Sequence, residues 1–164
     1  MPSSRNIRAL GLAGSLGGIT TTAGTGAVLI AASRPWYDSL DKPRWASPTI
    51  AFAPAWSVVA ASQAVGAWLA WRADDDRDAL DVPAVSSYAV QLWLSLAWLL
   101  LFFGFRRPGV ALLEVAVLWV ALALTVAEFG RRHRIAAALM VPSLLAVTYL
   151  GLLNLAVWRR NRSE

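Results

Sequence analysis

The chain has no cysteine and only one histidine. The first absence excludes disulfides and thiolate metal centres. The second removes every metal or catalytic arrangement that needs two imidazoles, and no metal site is expected. No glycine-rich phosphate loop and no usable nucleophile–base pair stands in the sequence. No catalytic residues are therefore assigned, no cofactor is required, and the chain reads as a non-enzyme. His133 sits in Arg131-Arg132-His133-Arg134 and reads as a solvated loop residue.

Charge is scarce as well. Asp, Glu, Lys and Arg make up 15% of the 164 residues, against about 25% in a soluble domain. The charges that exist are clustered. Residues 9–33, 45–71, 82–105 and 135–158 contain none, and 108–127 contain only Glu114. About 20 apolar residues cross a bilayer as a helix, so five such gaps predict five transmembrane helices. A barrel would instead need short alternating strands. The expected fold is an all-α, multi-pass integral membrane protein. It is a five-transmembrane-helix bundle forming one domain over 1–164, with helices at roughly 9–32, 50–71, 84–104, 109–129 and 135–157. Five crossings place loop one, 33–49, on the same side as the C-terminus. The net charge is +5. Because the arginines flank helices, the expected partner is membrane lipid and not nucleic acid.

The first span follows Arg5 and Arg8 and holds six glycines. It runs to Ala32, longer than a signal-peptide core, and reads as a retained helix. Gly14-x-x-x-Gly18 permits close helix contact and hence a regulatory or scaffold role through partner helices. The acidic stretch Asp74 to Asp78 reads as a solvated turn.

Inside the spans, polar and aromatic residues recur at helical spacing. Gln91, Ser95 and Trp98 share one helix face, as do Ser143, Val147, Gly151 and Asn154, and Trp56, Gln63 and Gly66 or Ala67. Intramembrane polar groups face protein or cavity, because lipid offers them no partner. Counting 1.5 Å per residue puts Trp56 about 9 Å in from the loop-one side, with Trp98 level with it. Asn154 lies nearer the surface and Ser95 deeper. These residues could enclose an aromatic and amide-lined cavity under loop one, or simply bond helix to helix. Glu114 and Glu128, near helix ends, are expected to snorkel or to pair with Arg106, Arg107 or Arg131.

Loop one and its surroundings carry a distinctive residue set. It begins Trp36-Tyr37-x-x-Leu40-x-Lys42-Pro43-x-Trp45, then Pro48, Pro54-x-Trp56, Trp68 and Trp71. Tyr88-x-x-Gln91-Leu92, Trp98, Phe102-Phe103-Gly104, Glu114, Pro142 and Leu153-Asn154 come after it. From about Arg34 to Asn161 this resembles the TspO/translocator-protein family, the tryptophan-rich sensory proteins. The resemblance implies a five-helix bundle, often dimeric, with loop one capping a pocket. It implies binding of porphyrin, haem or another hydrophobic ligand, in a transport, sensing or regulatory role. Tyr37, Pro48, Trp56, Gln91, Trp98 and Asn154 match its pocket or signature positions, and Ser95 and Ser143 join them as ligand-binding candidates.

The chain departs from the family pattern where Ser95 replaces an asparagine, and where Val59-Ala60, Ser143 and Ala146 replace larger groups. A roomier, less aromatic pocket is expected. Light-dependent porphyrin degradation, which the resemblance allows as an alternative activity, is weakened by Ser143 and Ala146, although Trp56 is retained.

Overall fold

The computed structural model describes residues 24–72 and 82–162. The deeper part of the first span, with Gly14 and Gly18, and the acidic stretch at 74–78 lie outside them. Residues 24–32 form the described part of α1. Along the chain come α2 (Arg34–Ser39), α3 (Thr49–Arg72), α4 (Val82–Leu99), a π-helical turn (Leu100–Gly104), α5 (Pro108–Arg132) and α6 (Arg134–Arg160). Three of these helices have the length and apolar content to cross a membrane. They are Ile50–Ala70, Pro108–Arg131 and Arg134–Arg160, with mean hydropathies of 1.4, 2.4 and 2.0. Tyr88–Gly104 is a shorter apolar helix beside them. With α1, the predicted helical membrane bundle is present, and α5 and α6 run slightly past their predicted ends.

Local chemistry explains the helix ends. Proline stands in the first turn of α2 and of α5, where its missing N–H is no loss and its fixed φ suits a helix. Pro48 precedes α3, and its carbonyl accepts the first bond, from the Ala51 N–H at 2.9 Å. Arg159 and Arg160 end α6, where cations meet the negative helix terminus. His133 corrects the sequence reading. It is half-buried, joins α5 to α6 by itself, and its Nδ1 accepts the Ala136 N–H at 3.2 Å. The histidine is thus the N-cap of α6, its extended backbone making the corner.

The packing order is α3–α6–α5–α4. Small residues set the approaches. A Cβ on Gly66 would lie 3.0 Å from the Ala136 carbonyl oxygen, and one on Gly109 would lie 2.8 Å from Trp158 Nε1. Outward positions are apolar. Val58, Val90, Trp93, Leu113, Val117, Leu124 and Leu145 are all exposed. A water-soluble protein does not display so much apolar surface, and around a helical bundle it is the lipid-facing surface.

The π turn shapes the lid-side end of α4. Phe105 N–H donates to the Leu100 carbonyl at 2.7 Å, five residues back. The extra residue in this turn lets Phe102 and Phe103 both point inward, each 1% exposed. The same irregularity leaves the Phe103 carbonyl open to a tertiary donor, and Ser33 Oγ donates to it at 2.8 Å. The start of loop one is thereby pinned to the end of α4.

Candidate functional site

Loop one is a structured lid. Its α2 carries Tyr37, fully buried, whose ring meets Phe52 edge-on at 5.8 Å and Phe103 at 5.9 Å. Tyr37 Oη donates to the Ser47 carbonyl at 3.3 Å. Lys42 covers the Tyr37 ring at 4.5 Å and donates to the Tyr37 carbonyl. Burial, with smaller contributions from the nearby Tyr149 and Asp38, pushes the Tyr37 phenol above its ordinary pKa of 10.0.

Two sets of bonds tie the lid to α6. The Ser47 N–H donates to Tyr149 Oη at 2.8 Å, and Tyr149 Oη donates to Ser47 Oγ at 2.8 Å. Further out, Asn161 bonds the Asp41 backbone reciprocally. Its Oδ1 accepts the Asp41 N–H, and its Nδ2 donates to the Asp41 carbonyl, both at 3.1 Å. Arg160 adds an ion pair to Asp41 at 3.3 Å. Loop one and the C-terminal helix end do share a side.

Beneath the lid is a cavity of about 90 Å³, lined by Gly26, Ala27 and Ile30 of α1, Phe52, Trp56 and Ser57 of α3, Trp98, Leu99 and Phe103 of α4 and its π turn, and Leu150 of α6. Trp98 stacks on Phe102 at 5.2 Å and meets Phe103 edge-on at 6.0 Å. Its indole Nε1 is buried without a hydrogen-bond partner. Asn154, one turn beyond Leu150, is fully buried, and neither atom of its amide has a partner.

The sequence-predicted residues therefore divide into groups. Trp56 and Trp98 lie together in the cavity wall. Tyr37 is in the lid and Asn154 is in the core on the lid-side end of α6. Pro48 is exposed at the start of α3. Gln91, Ser95 and Ser143 do not line the cavity. Gln63 Nε2 donates to Ser143 Oγ at 2.7 Å, and Gln91 Nε2 reaches Gln63 Oε1 at 3.4 Å, a buried chain across α6, α3 and α4. Ser95 Oγ bonds back to the Gln91 carbonyl at 2.8 Å. The small Ser143 side chain is met by the Gln63 amide, and neither Ala60 nor Ala146 borders the cavity.

Phe52 and Leu150 were not singled out as wall residues, although each lies one turn from a residue that was, Trp56 and Asn154. Phe103 could not be placed by helical spacing, because the π turn shifts its direction. Of the two intramembrane acids, Glu128 pairs with Arg131 at 3.3 Å as expected. Glu114 does not pair. Both of its carboxylate oxygens are buried without a partner.

Comparison with known proteins agrees with this architecture. The family model described as "TspO/MBR family" matches residues 9–159. The chain is 32% identical over 129 residues to "Translocator protein" of Sus scrofa, covering 79% of this chain and 76% of that one. It is equally 32% identical over 129 residues to "Protein CrtK" of Rhodobacter capsulatus, covering 79% and 80%. To "Tryptophan-rich sensory protein" of Cereibacter sphaeroides it is 33% identical over 126 residues, covering 77% of each. With the helical membrane bundle and the loop-one tryptophans on the same chain, these matches make it a member of the TspO/MBR family.

Proposed function

We propose that this protein binds a hydrophobic ligand under loop one, with a tetrapyrrole as the first candidate, and that binding serves transport or sensing. The observation that carries the reading is the indole N–H of Trp98, buried in an apolar cavity wall with no acceptor. A buried donor left unpaired costs about 1–3 kcal/mol, and a ligand carrying an acceptor removes that cost. Asn154 offers a second unpaired donor and acceptor in the core nearby.

The cavity, at about 90 Å³, is smaller than the roughly 300–1,000 Å³ of most ligand sites. A four-ring macrocycle therefore requires the walls to part, and binding is coupled to movement of the lid or of α1. Such coupling is what a sensor or carrier needs. The reading is non-enzymatic, because it assigns no residue to a bond-making step.

Titration of the protein in nanodiscs with protoporphyrin IX or haem, monitored by tryptophan fluorescence, tests it. The expected result is saturable quenching, with Trp98→Phe weakening affinity by about tenfold through loss of one buried hydrogen bond. Quenching that never saturates, or is identical in Trp98→Phe, refutes it.

A further inference from the structure

The one histidine takes no part in the cavity or its lid. His133 stands at the other end of the bundle, between the membrane-crossing stretches Pro108–Arg131 and Arg134–Arg160. Its imidazole is the side-chain cap of a 27-residue helix. No side chain caps α2 or α5. The first turn of α6 also holds no acidic residue, so no carboxylate there offsets the positive end of the helix.

The capping bond fixes the protonation state. Nδ1 accepts the Ala136 N–H at 3.2 Å, which it can do only through a free lone pair. The capping imidazole is therefore the neutral tautomer with its proton on Nε2. A second proton occupies that lone pair and turns the acceptor into a donor. The cap is then lost, and a cation is left at the positive end of the helix dipole. Imidazole ordinarily takes up this proton between about pH 8 and 5.

The surroundings supply no replacement. Arg72 ends α3, Glu128, Arg131 and Arg132 stand in the last turns of α5, and Arg134 begins α6. Residues 82–105, which include α4, carry no charge. Among the described residues Glu128 is the one acid at this end, and it already holds Arg131 at 3.3 Å. The capped turn is also a packing surface. Ala136 is fully buried, and its carbonyl oxygen would lie 3.0 Å from a Cβ on Gly66 of α3.

We propose that His133 is a pH switch at the α5–α6 corner. Neutral, it caps α6 and seats the first turn of that helix against α3. Protonated, it releases the cap and the turn frays. The neutral form is the stabilising one, so the contribution is full above the range where imidazole titrates and is lost as pH falls through it. The switch is independent of what the cavity binds.

Hydrogen exchange at Ala136 in nanodiscs tests it, because exchange there tracks opening of the first turn. H133N keeps a capping side chain that does not titrate, so dividing by its rate at the same pH removes the intrinsic pH effect on exchange. The parent and H133N should agree within about twofold at pH 8. At pH 5 the parent should exchange about 5- to 30-fold faster, the factor that loss of a cap carries. H133A should exchange fast relative to H133N at both pH values. A ratio of parent to H133N that stays flat from pH 8 to 5, or H133A matching the parent at pH 8, overturns the switch. The unsubstituted protein gives a second readout. With a single histidine, ¹⁵N-histidine labelling yields one imidazole signal. The Nε2–H tautomer is expected at pH 8, and finding the proton on Nδ1 overturns the proposal.

Discussion

Tyr149→Phe isolates what holds the lid down. The substitution keeps the ring and its edge contact with Trp45 at 5.8 Å and removes only the hydroxyl. Two bonds of 2.8 Å are lost, one from the Ser47 N–H and one to Ser47 Oγ. At about 0.5–1.5 kcal/mol each, with a half-buried N–H left unpaired, the closed lid loses about 1–3 kcal/mol. That corresponds to about a 5- to 150-fold rise in the open population. Hydrogen exchange of the 40–48 segment in nanodiscs reads this directly, since exchange there tracks local opening. Ser47→Ala removes one of the two bonds and should cost roughly half as much. Combined with Tyr149→Phe it should add almost nothing, because the lost partners are shared. Unchanged exchange in Tyr149→Phe, or full additivity in the double variant, refutes the latch. The α3–α6 and α4–α5 contacts do not involve this hydroxyl, so exchange within those helices should stay as in the parent.

Packing and electrostatics give two further expected outcomes. Gly66→Ala places a methyl 3.0 Å from the Ala136 carbonyl oxygen and 3.3 Å from the Leu139 side chain. Backbone cannot yield cheaply, so a loss of about 1–3 kcal/mol is expected as a lowered Tm in nanodiscs, whereas Gly24→Ala, which points into open space, should be close to neutral. The Tyr37 phenol, raised by burial above 10.0, stays neutral in the folded lid at a pH where the unfolded chain ionises. Its raised pKa means that its contribution to lid stability is full below about pH 10 and is lost as pH rises beyond that. Exchange of the 40–48 segment measured between about pH 9 and 11 should carry a steeper pH dependence than in Tyr37→Phe, and equal slopes would contradict this.

Much of the candidate site was legible from side-chain chemistry. Tryptophans at membrane depth on two helices, Trp56 and Trp98, pointed to a shared wall, and they do share one. Gln91 and Ser143 carried the same polar signal with a different outcome. They meet Gln63 in a hydrogen-bonded chain across three helices. A buried amide needs partners whether they come from ligand or protein, so polarity at depth cannot distinguish the two cases.

The membrane bundle is written into the uncharged runs, because each must satisfy its backbone polar groups within a helix wherever lipid replaces water. The proline and arginine helix ends, and the aromatic character of the cap over α3, are equally local properties. Other features exist only in the folded molecule. The π turn points both Phe102 and Phe103 inward, a direction that regular helical spacing does not give. The bonds from Ser47 to Tyr149 and from Asp41 to Asn161 are made between residues 102 and 120 positions apart. Helix propensity and hydropathy act over one turn or one span. Contacts between distant segments depend on how the spans rotate and cross, which no local pattern encodes.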